Sequence, residues 1–126
     1  MLALDQGGHA SRASVLDSEG VLLSQAQCAV QTRQGPSGTV EHDADELAAS
    51  LWQAARSALA QARAEFPALR VESAGLACQR STIVCFRRTD GTALSPAISW
   101  QDRRNAGWLG QFAPQAARIR RITGLP

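Results

Sequence analysis

Lysine and tyrosine are both absent from this chain of 126 residues, and each of its 13 basic residues is an arginine. A Walker A loop needs its lysine, so the missing lysine excludes a P-loop nucleotide site. The net charge of +2 is too small to indicate nucleic acid binding. The local cluster "RIRR" at Arg118 to Arg121 is typical of a solvated helix face. We therefore expect no nucleic acid partner.

Long apolar runs and paired cysteines are missing as well. No stretch approaches the roughly 20 apolar residues of a membrane span, and Asp5 interrupts the apolar start, which thus lacks the order of a secretory signal. Cys28, Cys78 and Cys85 are an odd number without CxxC spacing, so they predict neither disulfides nor a zinc site and are expected as small buried residues. These absences predict a cytoplasmic protein that has no membrane partner.

The residues that are present predict a single α/β unit. Hydrophobic residues make up 44% and charged residues 19% of the chain, as in ordinary globular proteins. A helix is expected over Ala44–Glu65, with Asp43 as its cap, Glu46 in capping-box position and Trp52 in its packed face. Apolar runs broken by turn residues predict the strands, and later patterns predict two more helices that end at Gly124. The expected strands are Met1–Leu4, Arg12–Asp17, Val21–Val30, Arg70–Gln79 and Ser81–Arg88, and the later helices are Arg103–Gln111 and Pro114–Ile122.

The first strand runs into "DQGG", which places a carboxylate and two glycines at the end of a buried segment. The Asp5 carboxylate can hold a hydrated Mg²⁺. Gly7 and Gly8 let backbone N–H groups approach phosphate oxygens closely. A plain turn is the alternative interpretation of this stretch, so the decision depends on the motifs that follow it.

Those motifs resemble, in order, the FGGY family of carbohydrate kinases, and the likeness covers the whole chain. "ALDQG" with "SRA" resembles the family's first phosphate motif, and "VEHD" resembles the segment that opens its first helix. "CQR" with "TIV" and "AISWQDRR" resemble the two stretches that line its polyol pocket, and "TGLP" resembles the approach to the next stretch. Within the family, the motifs are most similar to those of glycerol kinases.

The resemblance implies the actin-like ATPase or ribonuclease-H-like fold, an α/β fold with a mixed sheet and flanking helices. It identifies residues 1–126 as the N-terminal domain of such a kinase, incomplete at its C-terminal end. The implied reaction transfers the γ-phosphoryl group of ATP to a hydroxyl of a sugar or polyol. The catalytic base is an aspartate expected further along, so this chain is expected to hold no catalytic residue and to be inactive alone. Its expected partners are the missing C-terminal part and, through an exposed apolar surface, other copies of itself.

The resemblance also implies two groups of binding residues. Asp5 is expected near Mg²⁺, and the nucleotide phosphates are expected near Gly7, Gly8 and Arg12. The substrate is expected to be surrounded by Gln79, Arg80, Ser81 and Trp100. An arginine fork can donate to two hydroxyls, and a tryptophan ring can cover a carbon backbone. Arg103 and Arg104 are expected on a helix surface, in ion pairs.

Two departures from the family pattern affect these expectations. Gly8, His9 and Ala10 stand where the family has hydroxyl residues, so backbone groups are expected to contact the phosphate. His9 is expected to shield or hydrogen-bond the loop, with catalysis as the second interpretation. Ser81 stands where glycerol kinases have a glutamate, so one acceptor for substrate hydroxyls is lost. The sequence therefore predicts a preferred substrate other than glycerol.

Two functions of other classes remain open at this point. A non-catalytic actin-like nucleotide-binding domain keeps Asp5 and the glycines but gives no reason for Arg80 and Trp100 to occur together. A ribonuclease-H-like nuclease needs further carboxylates beside Asp5 for two metal ions. Its candidates in this chain are Asp17, Glu41 and Asp102.

Overall fold

A computed structural model describes residues 1–124 and has the α/β architecture that the sequence predicts. The strands fall into a four-stranded and a three-stranded sheet. Short 3-10 helices occupy Pro36–Gly38 and Gly110–Gln115. The strands are β1 Leu2–Gln6, β2 Ala10–Leu16, β3 Leu22–Ala29, β4 Arg33–Gln34, β5 Val40–His42, β6 Ala74–Cys78 and β7 Ala97–Ile98, and the helices are α1 Ala44–Glu65, α2 Ala106–Leu109 and α3 Ala116–Thr123.

The larger sheet is mixed and has the strand order β3-β2-β1-β6. β1 and β2 form an antiparallel hairpin in which Asp5 lies opposite Arg12. On its other edge β1 pairs in parallel with β6, and Gln6 is in register with Cys78. Because parallel strands end at the same edge of a sheet, the turn after β1 and the segment after β6 are brought together. The smaller sheet has the order β4-β5-β7.

Helix α1 covers one face of the larger sheet, and its bounds match the predicted bounds. The Asp43 carboxylate caps it by accepting hydrogen bonds from the backbone N–H groups of Asp45 and Glu46 at 3.0 and 3.1 Å. The reciprocal half of the expected capping box is not formed, because the Glu46 side chain accepts from Gln31 N–H instead. The buried stripe of the helix consists of small residues that allow close packing: Ser50, Ala54, Ala55, Ala58 and Ala62.

The prediction that Trp52 packs in the core is wrong, because its side chain is 67% exposed. Trp52 lies two positions from both Ser50 and Ala54, about 200° around the helix from each. The indole therefore points away from the buried stripe. The expectation of buried cysteines is also wrong for Cys78 and Cys85, which are exposed.

The second half of the described chain differs from several sequence-based expectations. The predicted strand Ser81–Arg88 is absent and is replaced by single bridges, Ile83 with Ile98 and Phe86 with Ala93. The strand β6 begins later than predicted, and the helix expected over Arg103–Gln111 shortens to α2, which continues as a 3-10 helix containing Pro114. Gly124 ends α3 in the left-handed conformation, at φ 69°, as expected. The last two residues of "TGLP" lie outside the described residues.

Apolar side chains are widely exposed around β6 and the C-terminal helices. All five residues of β6 are exposed, and so are the side chains of Leu76, Trp108 and Ile122. This confirms the exposed apolar surface expected from the sequence. No helix within residues 1–124 is both long and apolar enough to cross a membrane.

Candidate functional site

The turn between β1 and β2 brings together the residues expected at the nucleotide phosphates. Asp5 Oδ2 lies 3.2 Å from Arg12 Nη1, and the two side chains are about half exposed, at 52% and 48%. Gly7 N–H donates to Ala10 O at 3.1 Å and closes the turn. The backbone N–H groups of Gly8 and His9 find no acceptor among residues 1–124. The turn thus presents two N–H donors, a carboxylate and an arginine at one edge of the sheet.

Close approach of backbone requires glycine at position 7, whereas Gly8 faces the end of a flexible side chain. A Cβ atom on Gly7 would lie 2.7 Å from Ala10 O, a distance that real Cβ atoms do not adopt. A Cβ atom on Gly8 would lie 3.3 Å from Gln79 Oε1. The turn is anchored from outside, since Thr32 Oγ1 donates to Gly8 O at 3.0 Å and Val30 N–H donates to His9 O at 2.9 Å.

Three of the expected substrate residues, Arg80, Ser81 and Trp100, line one open cavity of about 350 Å³. Trp100 is 59% exposed and is therefore no core residue. The Arg80 guanidinium has no hydrogen-bond or ion-pair partner within the described chain, so its donors are available to a ligand. Ser81 has a left-handed backbone, at φ 65°. Strained backbone of this kind is concentrated at functional sites.

Gln79, the fourth expected substrate residue, lies between this cavity and the turn at Gly7 and Gly8, where phosphates are expected and which is here named the phosphate turn. Its Oε1 accepts a hydrogen bond from Thr82 Oγ1 at 3.3 Å, and Thr82 Oγ1 accepts from Trp100 N–H at 3.2 Å. The same amide oxygen lies 3.3 Å from the position that a Cβ on Gly8 would take. The structure therefore brings the two predicted residue groups to one place, with Gly8 and Gln79 facing each other between them.

A network of charged groups holds the "WQDRR" segment beside β5. Asp102 accepts hydrogen bonds from Val40 N–H at 2.7 Å and from Arg104 Nε at 2.9 Å, and Arg104 also pairs with Glu41. Hydrogen bonds from Arg104 hold the pKa of Asp102 well below its ordinary value, and Asp102 raises the pKa of Arg104 in turn. Arg104 forms ion pairs, as expected, but it precedes α2 instead of lying on a helix.

The Asp102 network should make stability depend on pH. Because the folded pKa of Asp102 is lowered from 3.8, its contribution is present above that value and is lost as pH falls through the folded pKa. We expect Asp102→Asn to lower the free energy of unfolding at pH 6, with the gap to wild type narrowing as pH falls below about 4. Urea titrations from pH 6 to pH 2 measure this, and Glu72→Gln serves as the exposed control. A gap that is constant with pH contradicts the assignment.

His42 is a buried polar residue that sequence analysis missed. Only 1% of it is exposed. Its Nδ1 lies 3.1 Å from Gln31 O, so this nitrogen carries the proton. Its Nε2 has no hydrogen-bond partner within the described residues, and its Cε1 would lie 3.7 Å from a Cβ on Gly8. "VEHD" indicated only the start of a helix, and no spacing singled out His42, because the groups around its ring, Gln31 O and the turn at Gly8, are distant in the sequence.

The described residues fit a magnesium ion held together with phosphates, and they do not fit a two-metal site. No group of three acidic, histidine or cysteine side chains that could hold a metal occurs within residues 1–124. Mg²⁺ usually keeps several waters and takes one or two carboxylates plus phosphate oxygens, so the single carboxylate of Asp5 beside free N–H donors suits it. The three carboxylates that the nuclease alternative needs are engaged elsewhere, because Asp17 accepts hydrogen bonds in its own turn and both Glu41 and Asp102 are paired with Arg104.

The mixed sheet with its β1–β2 hairpin, the flanking helices and the open cavity beside the hairpin agree with the expected actin-like fold. The sequence profile of the FGGY family of carbohydrate kinases, N-terminal domain, matches residues 1–126. The chain belongs to this family.

Proteins of known sequence and structure agree with this assignment. The glycerol kinase of Aromatoleum aromaticum is 42% identical over 99% of this chain and 25% of that protein, and the glycerol kinase of Acinetobacter baylyi is 38% identical over the same shares. Plasmodium falciparum glycerol kinase with ADP superposes with a TM-score of 0.88 at 21% identity, over 94% of this chain and 24% of that one. Xylulose kinase from Lactobacillus acidophilus gives a TM-score of 0.77 at 16% identity, over 95% and 24%.

These likenesses confirm the predicted fold and family. The chain spans about a quarter of the length of the relatives that it matches.

Proposed function

We propose that this chain supplies the phosphate and magnesium loop and part of the acceptor pocket of an ATP-dependent sugar or polyol kinase. The observation that carries the proposal is the position of Gln79 Oε1, 3.3 Å from where a Cβ on Gly8 would lie, which places the hairpin turn next to the segment that lines the cavity at Trp100. Support comes from the relatives, which are glycerol and xylulose kinases, and from the crystal structure of the Plasmodium glycerol kinase with ADP. A non-catalytic nucleotide-binding domain gives no use for that cavity.

Each residue has a distinct task in the proposed reaction. Bound magnesium nucleotide supplies the phosphoryl group and neutralises its charge. Asp5 holds the metal, the N–H groups of Gly8 and His9 donate to phosphate oxygens, and Arg12 donates from the adjacent strand. Gly7 shapes the turn, since its own N–H is already bonded to Ala10.

The acceptor is held on the other side of Gly8. Gln79 and Arg80 donate to its hydroxyls, Ser81 contributes a neutral hydroxyl, and Trp100 covers its carbon backbone and excludes water. A catalytic base is assigned to none of the described residues and belongs to a part of the kinase beyond this chain. The proposal therefore includes a C-terminal part as partner and inactivity of the chain alone. It also includes association of copies through the exposed apolar surface and a cytoplasmic location.

The function is tested by assaying the chain alone and fused in frame to the remaining sequence of the Aromatoleum relative. We expect acceptor-dependent release of ADP from the fused protein and none from the chain alone, because phosphoryl transfer needs nucleotide, metal and acceptor held in line. A folded fusion without turnover on any sugar or polyol contradicts the proposed function. Acceptor-dependent turnover by the chain alone contradicts the need for a partner.

Ser81 is expected to lower the preference for glycerol. A serine offers a neutral hydrogen bond where glutamate offers a charge-assisted one, which is worth about 1 kcal/mol more. We therefore expect Ser81→Glu to raise kcat/KM for glycerol about fivefold to tenfold relative to other polyols and pentoses. Ser18→Glu adds the same charge to an exposed turn and should change nothing. Glycerol as the best substrate of the unmodified fusion contradicts this prediction.

A further inference from the structure

A chain of contacts runs from the cavity wall to the phosphate turn through a residue that has no assigned role, Thr82. Trp100 N–H donates to Thr82 Oγ1 at 3.2 Å, and Thr82 Oγ1 donates to Gln79 Oε1 at 3.3 Å. A hydroxyl has a single proton, so it can accept from Trp100 while donating to Gln79. Gln79 Oε1 in turn faces Gly8, 3.3 Å from where a Cβ on that residue would lie. The Thr82 hydroxyl thus connects the backbone of Trp100 with the side-chain amide of Gln79.

The Thr82 hydroxyl holds the Gln79 amide beside the turn. It accepts from Trp100 N–H with one lone pair and donates its proton to the carbonyl oxygen of the amide. The amide nitrogen of Gln79 has no acceptor among residues 1–124, so its two N–H groups remain free for a ligand oxygen. Without the hydroxyl, the amide loses this hydrogen bond and is no longer held in one orientation.

The backbone around Thr82 is held in place independently of that hydroxyl. Ile83 and Ile98 exchange backbone hydrogen bonds at 2.9 and 2.8 Å, which fixes the segment after Thr82 to the strand that leads to Trp100. The left-handed conformation of Ser81 turns the chain between Gln79 and Thr82. Loss of the hydroxyl should therefore change the amide and its neighbours while the fold is kept.

We infer that Thr82 is a positioning residue that orients the Gln79 amide and couples the acceptor cavity at Trp100 to the phosphate turn at Gly8. Ligands at the two places then influence each other through this contact, and such coupling is reciprocal. The inference rests on the proposed function for the identity of the ligands. The orientation of the amide and its link to Gly8 do not depend on that identity.

The test uses the ¹⁵N-labelled 126-residue chain and three variants. Thr82→Val keeps the shape and removes the hydroxyl, Thr82→Ser keeps the hydroxyl, and Thr89→Val makes the same change on an exposed turn. In Thr82→Val we expect shifted resonances for the Gln79 side-chain amide and for Gly8 N–H. The Trp100 amide should exchange with solvent about tenfold faster. Thr82→Ser and Thr89→Val should resemble wild type.

Inorganic phosphate then serves as the probe of coupling. In wild type and Thr82→Ser, added phosphate should shift Gly8 N–H and also Trp100 N–H, whereas in Thr82→Val the Trp100 response should be lost. An unchanged Gly8 resonance in ligand-free Thr82→Val, or a Thr82→Ser that behaves like Thr82→Val, overturns the inference. If phosphate shifts nothing in wild type, the proposed phosphate loop fails, while the ligand-free spectra still decide the role of Thr82.

Discussion

Replacement of Asp5 by asparagine is expected to lower phosphoryl transfer by the fused kinase on the order of 10³-fold, because a metal-held charge is worth several kcal/mol of barrier. Asparagine has the same shape as aspartate but no charge to hold Mg²⁺. No group of three acidic, histidine or cysteine side chains within residues 1–124 offers another site for the metal. Stability should change little, because the bridge from Asp5 to Arg12 is half exposed and exposed bridges contribute little.

The measurements are kcat over a range of Mg²⁺ concentrations and the free energy of unfolding by urea. Asp45→Asn makes the same chemical change at an exposed position in the first turn of α1 and should retain wild-type turnover. Wild-type turnover by Asp5→Asn at limiting Mg²⁺ rules out Asp5 as the metal ligand.

Replacement of Gly7 by alanine should open the phosphate turn. The new Cβ would lie 2.7 Å from Ala10 O, and this neighbour is backbone, which cannot rotate away. The turn must shift, and the hydrogen bond from Gly7 N–H to Ala10 O must lengthen. Because the N–H donors of Gly8 and His9 follow directly, their alignment with phosphate oxygens is lost. We expect kcat/KM for ATP to fall about 10² to 10³-fold, as when one preorganised donor is removed.

Gly75→Ala is the matched control for this change. Gly75 lies in β6, and a Cβ there would meet no atom within 4 Å, so turnover should stay at the wild-type level. Phosphate binding by the 126-residue chain gives a second measurement that does not depend on catalysis. Equal nucleotide affinity in Gly7→Ala and wild type contradicts the proposed role of the turn.

Elements that depend on neighbouring residues alone could be predicted from the sequence. The bounds of α1 were predicted correctly because its cap is local: Asp43 accepts from N–H groups two and three positions on. The hairpin of β1 and β2 is equally local, since it is closed by a turn with two glycines. The family could also be predicted, because its motifs are written in consecutive residues.

Elements that depend on distant partners were predicted less well. The apolar segment Ser81–Arg88 has the composition of a strand, but its backbone turns at Ser81 and meets other segments only at single bridges. The spacing of Trp52 to the apolar residues of α1 is only roughly helical. Which stripe of the helix is buried is decided by the packing of its small residues against the sheet. His42 gave no signal, because its ring lies next to Gln31 O and the turn at Gly8, which only the folded chain brings near.

By itself, the sequence determined the chemical groups of the candidate site: a carboxylate, two glycines, two arginines, a glutamine, a serine and a tryptophan in recognisable motifs. Only the tertiary structure decided how they meet. The parallel pairing of β1 with β6 sets Gln6 beside Cys78, so that the residues which follow, Gly8 and Gln79, face each other at the same sheet edge. β1 and β6 are distant in the chain, so no tight turn between them fixes their register, and the packing of the whole sheet decides it.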